Sequence, residues 1–185
     1  MVSRSVCIAL GGNLGQPAET FARALALLAE RVGPLRGVSR LFRTAPLNPP
    51  ELIATSQPEF LNAAARFESS LAAGEILAVA LEVERMLGRN RAVEQRWGPR
   101  TIDLDLILIG DEVVTGPTIT VPHPEAHRRD FVLVPLAEIA AEMIHPLLGK
   151  SVGELLAHLR ASGEALFTLE VAGALPEVSP GAAPP

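Results

Sequence analysis

Residues 101–109 read Thr101-Ile102-Asp103-Leu104-Asp105-Leu106-Ile107-Leu108-Ile109. Successive side chains of a strand point to opposite sides. The run is therefore a strand with Ile102, Leu104, Leu106 and Leu108 on one face and Asp103, Asp105 and Ile107 on the other. Residues 60–67 repeat the arrangement: Leu61, Ala63, Ala65 and Phe67 share one face, and Phe60, Asn62, Ala64 and Arg66 share the other. Each strand has a fully apolar face for helices to cover. Each also has a second face where polar groups interrupt an otherwise hydrophobic segment.

The rest of the chain supplies the partners. Residues 6–10 are strand-like and end in the turn signal Gly11-Gly12-Asn13. Pro17 opens a helix whose apolar face is Phe21, Leu25, Leu28 and Val32, and Gly33-Pro34 stops it. Residues 37–44 read as one strand, and the four prolines within 46–58 make a loop. Ile76, Leu77, Ala80, Leu81, Glu84 and Leu87 form one stripe of a second helix ending at Gly88. After the acidic strand, Gly110-Asp111 reads as a hairpin leading to Val113-Val114. Helices are expected over 131–141 and 151–159. The order strand-helix-strand-strand-helix-strand predicts an α+β fold of ferredoxin-like, split βαβ type, an antiparallel sheet with helices on one face and the active site on the other. Residues 1–170 make a single domain in this reading. Residues 171–185, rich in Ala, Gly and Pro, read as a disordered tail.

Two carboxylates two residues apart on a strand sit about 7 Å apart in backbone terms. In a partly apolar setting one would take up a proton unless a cation arrives. Mg²⁺ takes one or two carboxylates together with phosphate and water oxygens. The pair is either such a metal site or a set of solvated or arginine-paired acids. Arg85, Arg89, Arg91, Arg96 and Arg100 crowd the segment that leads directly into it. Guanidinium forks match phosphate bidentately, so arginines beside paired acids supply both halves of a phosphoryl-transfer site. The glycines at 11, 12 and 15 lack the Lys-Ser/Thr of a P-loop and serve as a turn. His123, between two prolines, is held in a fixed loop suited to a ligand contact.

The chain carries 16 basic and 21 acidic residues, a net charge of −5, which argues against nucleic-acid or membrane-surface binding outside the arginine cluster. Its one cysteine, Cys7, excludes an internal disulfide framework and a cysteine zinc site, and points to the cytoplasm. The apolar run at 6–10 is too short for a secretory leader. Six Phe, one Trp and no Tyr leave few candidates for stacking on a flat ligand.

These residues resemble the 6-hydroxymethyl-7,8-dihydropterin pyrophosphokinase family of folate biosynthesis. The likeness runs in order through Ala9-Leu10-Gly11-Gly12-Asn13-Leu14-Gly15, Phe42-Arg43-Thr44-Ala45-Pro46, Phe60-Leu61-Asn62-Ala63, Glu84-Arg85-Met86-Leu87-Gly88-Arg89, Arg96-Trp97-Gly98-Pro99-Arg100-Thr101-Ile102-Asp103-Leu104-Asp105, and Val121-Pro122-His123-Pro124 onward to Phe131. The resemblance implies transfer of the β,γ-pyrophosphoryl group of ATP to the hydroxymethyl group of the dihydropterin, with release of AMP. It implies Asp103 and Asp105 as ligands of two Mg²⁺ ions, and Arg89, Arg91 and Arg100 as catalytic arginines on the phosphates. Glu84, Leu106, His123 and Arg129 match its ATP-binding positions. Thr44, Ala45, Leu47, Phe60, Asn62, Trp97 and Phe131 match its pterin-binding positions, with Phe60 and Phe131 sandwiching the ring. The expected partners are these small molecules alone, bound by a monomer.

The chain departs from the family in three places. The loop over 88–97 is a residue longer than in some members, Ala45 replaces a frequent proline, and the Ala/Gly/Pro tail has no counterpart. Two other readings of the residues stay open. A non-catalytic polyphosphate binder would use the arginines and leave ATP intact. A protein-interaction domain would show no Mg²⁺-dependent ATP affinity.

Overall fold

The computed structural model describes residues 2–46, 57–92, 94, 98–164, 167 and 169–176. The main sheet contains β1 (Arg4–Gly12), β2 (Leu35–Val38), β3 (Leu41–Thr44), β4 (Phe60–Ser69), β5 (Asp103–Ile109) and, from the C-terminal segment, β10 (Glu170–Gly173). Its order is β10-β3-β4-β1-β5, with β2 also on β4, and all pairings are antiparallel. Two short hairpins, β6 (Val114–Thr115) with β7 (Thr120–Val121) and β8 (Ile144–His145) with β9 (Lys150–Ser151), lie off it. The helices are α1 (Pro17–Arg31), α2 (Ala73–Met86), α3 (Asp130–Ala140) and α4 (Val152–Ser162).

Period-2 alternation divides the sheet between two hydrophobic clusters. Val6, Ile8, Leu10, Ala63, Ala65, Phe67, Leu104 and Leu106 pack with Phe21, Leu25 and Leu28 of α1 and Ile76, Ala80 and Val83 of α2. The intervening Cys7, Ala9 and Ala64 pack with Leu133 and Leu136 of α3 and Leu155 and Leu159 of α4. The second face of the sheet is thus partly covered by helices, where the sequence reading had left it free. Asp103, Asp105 and Asn62 alternate with Leu104, Leu106 and Ala63, so they stand on this second face, beside α3.

Local differences from the sequence pattern have physical causes. The β1–β5 register shifts between Cys7 and Ile8, so that Cys7 lies opposite Leu108 and Ile8 opposite Leu106. The irregularity puts Ile107 and Leu108 together in the second cluster and Ile109 in the first, against the strict alternation expected. The strand expected over 37–44 is broken at Ser39, whose backbone N–H donates to Ala64 O and whose hydroxyl accepts from Ala64 N–H, each at 2.9 Å. The side chain replaces a rung of the ladder and the sheet continues. In α2, Leu81 is exposed and Val83 takes its place in the buried stripe. The chain turns at Gly110 (φ +48°), but Val114 then pairs with Val121 rather than with β5. The assignment of everything after residue 170 to a disordered tail fails at its start. Glu170 and Val171 lie opposite Arg43 and Phe42, adding an edge strand, and Leu175 packs against the first cluster.

Cys7 is fully buried, and burial pushes its thiol up from 9.0 to about 12. The thiolate is the reactive form, so a thiol reagent at pH 8 should leave the native protein unmodified and label it stoichiometrically in urea. The unfolded thiol ionises first, so Cys7 should also lower stability progressively as pH rises from 9 toward 12. Rapid labelling without denaturant would show that the second cluster opens freely.

Candidate active site

Strand register builds the floor of the site. Asp103 on β5 lies opposite Gly11 on β1, Gly11 opposite Asn62 on β4, and Asn62 opposite Phe42 on β3. A side chain on Gly11 would stand between Asn62 and Asp103, with its Cβ 3.7 Å from Asn62 Oδ1 and 3.9 Å from Asp103 Cβ; glycine leaves that floor open. Gly12 is required for a stronger reason, since a Cβ there would meet the Thr101 carbonyl oxygen at 2.6 Å.

Asn13 uses that close approach. Its backbone N–H donates to Arg100 O and its Oδ1 accepts from Arg100 N–H, both at 2.9 Å, while Nδ2 donates to Pro58 O at 2.9 Å and Gln57 Oε1 at 3.2 Å. One buried amide ties the turn after β1 to the end of the arginine loop and to the segment entering β4. The sequence reading saw only a turn here. The available signal was an amide directly after two glycines, where the backbone can approach closely enough to be held.

The arginines are organised from below by Glu84, on the buried side of α2 with 1% exposure. Its carboxylate accepts from Leu104 N–H at 2.8 Å, Arg89 Nη1 at 2.7 Å and Arg91 Nε at 2.9 Å. Burial pushes this carboxyl above its ordinary value, against the pull of those donors. Arg89 also pairs with Glu94 at 3.0 Å and with Asp103, and Arg100 Nη1 donates to Asp103 Oδ2 at 2.7 Å. Burial would lower the Arg89 pKa, but Asp103, Glu84 and Glu94 together raise it. For Asp103, burial pushes upward and the Arg89 and Arg100 guanidiniums outweigh it, leaving the carboxyl below its ordinary value.

Asp105 differs. It has no hydrogen bond or ion pair among the described residues, and burial together with the neighbouring Asp103 charge raises its pKa. His123 faces it from the loop after β7. Its backbone N–H donates to Ile107 O at 3.0 Å, and its Nδ1 accepts from Glu125 N–H at 3.2 Å, which leaves Nε2 to carry the proton. Burial holds this imidazole below its ordinary pKa, more than Asp105 raises it.

One cavity of about 540 Å³ brings together Arg89, Arg91, Arg100, Asp103, Asp105, His123 and Arg129 with Thr44, Ala45, Phe60, Asn62 and Phe131. Asn62 Nδ2 donates to Thr44 Oγ1 at 3.0 Å, leaving Asn62 Oδ1 free to accept from a ligand. Arg100 lies 5.7 Å from the Phe60 ring centroid and Arg129 5.8 Å from that of Phe131, so each ring has a guanidinium beside it. Two expected site residues do not line the cavity. Glu84 lies behind the arginines, and the side chain of Leu106 packs in the first cluster with the helices. Leu47 and Trp97 lie outside the described residues. The cavity is also lined by Glu94 and Phe167, which the sequence reading did not select.

The residues suit a hard cation in part. Asp105 offers a carboxylate with no protein donor, and Asp103 a second one shared with arginines. No cluster of three or more His, Cys, Asp or Glu exists among the described residues. A cation held here would take the two carboxylates from the protein and the rest of its shell from water and phosphate oxygens.

Removing one member of a buried ion network leaves the others desolvated and unpaired. Glu84→Ala should therefore cost about 3–5 kcal/mol of stability in urea titration. It should cost more than Arg91→Ala, since Arg91 is half exposed. Equal small losses would show that the arginine loop reorganises around water.

A family model, 7,8-dihydro-6-hydroxymethylpterin-pyrophosphokinase, matches residues 7–141. A 2-amino-4-hydroxy-6-hydroxymethyldihydropteridine pyrophosphokinase from Pseudomonas aeruginosa is 39% identical over 159 residues, covering 85% of this chain and 92% of the relative. One from Synechocystis is 38% identical over 150 residues, covering 80% and 73%. Among solved structures, the wild-type HPPK-DHPS of Plasmodium falciparum with pteroate superposes at a TM-score of 0.65 and 13% identity. That match covers 85% of this chain, which spans less than half of the Plasmodium chain (42%), so the likeness speaks for fold alone. The sequence match extends from the buried thiol of β1 through the whole floor and arginine loop to the end of α3, and the chain belongs to the 7,8-dihydro-6-hydroxymethylpterin-pyrophosphokinase family.

Proposed function

We propose that the protein transfers the β,γ-diphosphoryl group of ATP to the hydroxymethyl oxygen of 6-hydroxymethyl-7,8-dihydropterin, releasing AMP, within the ferredoxin-like order of its first five strands and two helices. The observation that carries this reading is the division of one cavity into two chemistries. Phe60 and Phe131 line it together with the Asn62–Thr44 pair, and Arg89 and Arg100 converge on Asp103, with the unpaired Asp105 two residues along the same strand. The first half suits a flat heterocycle with a polar edge, the second a polyphosphate.

In this mechanism Phe60 and Phe131 hold the pterin ring, and Asn62 Oδ1 accepts from its edge. The hydroxymethyl oxygen then faces the β-phosphorus. The new bond joins those two atoms, and the bond between that phosphorus and the oxygen bridging to the α-phosphate breaks. That oxygen leaves on AMP, and the hydroxymethyl group gives up its hydroxyl proton to solvent. Arg89, Arg91 and Arg100 neutralise charge on the oxygens of the transferred group, and His123 Nε2–H and Arg129 orient the nucleotide. Asp103 and Asp105 would hold the two Mg²⁺ ions, which would supply charge neutralisation to the phosphates. Before substrate arrives, Arg89 and Arg100 already face Asp103. A phosphate group would compete with the Asp103 carboxylate for these two guanidiniums.

The decisive test is chemical. Protein, Mg-ATP and the dihydropterin should yield AMP and no ADP. A polyphosphate-binding protein would bind ATP and return it unchanged, and ADP would mark an ordinary kinase. Asp105→Asn should reduce turnover by about three orders of magnitude. It should also raise the melting temperature at pH 7. The folded carboxyl is raised above 3.8, so its ionised form opposes folding above that pH. The stabilisation should vanish toward pH 3. A variant both inactive and less stable at pH 7 would show Asp105 to be structural.

A further inference from the structure

Phe131 sits in the first turn of α3, and a second aromatic ring meets it. Phe167, from the segment between α4 and β10, lines the same cavity. Its ring centroid is 5.7 Å from that of Phe131, with the planes at 71°. The backbones of the two residues share one acceptor. Asp130 Oδ1 accepts from Phe131 N–H at 2.8 Å and Asp130 Oδ2 from Phe167 N–H at 2.6 Å. Asp130 is 2% exposed, so this carboxylate is spent inside the protein and not on solvent or substrate. Three residues after Phe167, β10 pairs with β3, the strand that carries Thr44. Phe167 is thus held at the start of α3, and residues 170–173 at the strand that carries Thr44. Phe167 also lines a second cavity, of about 450 Å³.

We propose that Phe167 is a positioning residue for the acceptor substrate, with Asp130 holding it in register. An aromatic clamp works only when its two rings are parallel and separated by one ring thickness. Phe131 is half-buried and can turn about its χ2 bond. The steeply inclined, edge-to-face arrangement of the two rings is favoured for two quadrupoles, so it selects one plane for Phe131 before the ligand arrives. The ordering cost is then met in the free protein and not on binding. The inference rests on the pyrophosphokinase reading above and adds the C-terminal segment to its acceptor site. The effect falls chiefly on the acceptor substrate, because the ring that Phe167 meets is that of Phe131, with Arg129 the nucleotide contact beside the same ring.

The test is a comparison of Michaelis constants in the full-length protein. Phe167→Leu should raise KM for the dihydropterin about fivefold, the worth of an edge-to-face aromatic pair, with KM for ATP and kcat within about twofold. Phe167→Tyr should restore the wild-type value. Asp130→Asn should reproduce the Leu signature, because its amide nitrogen must face one of the two N–H donors. An unchanged pterin KM in Phe167→Leu overturns the proposal. So does a parallel loss in both KM values and kcat with a lowered melting temperature, which would make Phe167 a general structural residue. Wild-type protein that releases no AMP overturns the reading of function and this proposal together, whereas wild-type activity with an indifferent Phe167 overturns the proposal alone.

Discussion

A buried guanidinium held among acids is the interaction on which the site depends. Arg89 is almost fully enclosed, and Glu84, Glu94 and Asp103 surround it. Taking these charges out of water is costly, and the geometry must return that cost through hydrogen bonds made on every side. Glu84 achieves this by also accepting the Leu104 N–H, so the carboxylate that positions the arginines is itself anchored to the strand that carries Asp103 and Asp105. Helix α2, the arginine loop and β5 are fixed to one another through a single side chain. The network contributes placement more than stability, since apolar residues of the same volume would fill the space at less electrostatic cost.

Placement of the remaining parts follows from close backbone approach. Gly12 lets the turn after β1 lie against Thr101, and Asn13 then bonds Arg100 and Pro58 from one amide. The end of the arginine loop and the entry to β4 are thereby brought to the same edge of the sheet. Phe60 starts β4 at that edge, and Arg100 lies over its ring. The aromatic and cationic halves of the cavity meet here because one short polar turn spans both.

The sequence carried the site face in its alternation. Asp103 and Asp105 on one strand and Asn62 on another were legible as polar groups on the side opposite the aliphatic residues, and the cavity contains all three. Alternation ceased to be informative at Leu108, where the β1–β5 irregularity moved a residue to the other face without any glycine or proline to mark it. The break at Ser39 was hidden because a hydroxyl can stand in for a backbone rung. Glu84 was placed on the apolar stripe of α2 by its spacing, and its site role came only from the family resemblance; the donors that satisfy a carboxylate on such a stripe leave no mark in the sequence. Phe167 and β10 were invisible for another reason. Four residues of edge strand, all exposed, carry no hydrophobic period to detect.

Charge distribution explains how an acidic chain can offer a phosphate site. The net charge of −5 is a property of the surface as a whole. Within the cavity, four arginines face two aspartates and one glutamate. Asp103, Glu94 and Arg91 are already engaged in ion pairs, while Asp105 and Arg129 have none among the described residues. A polyphosphate accompanied by a divalent cation matches that remainder on both signs, whereas either ion alone leaves one sign unmet. Arg100 and Arg129 also lie beside Phe60 and Phe131. In the proposed function, a flat ligand stacked on those rings and a phosphate drawn to those guanidiniums would meet the same two arginines.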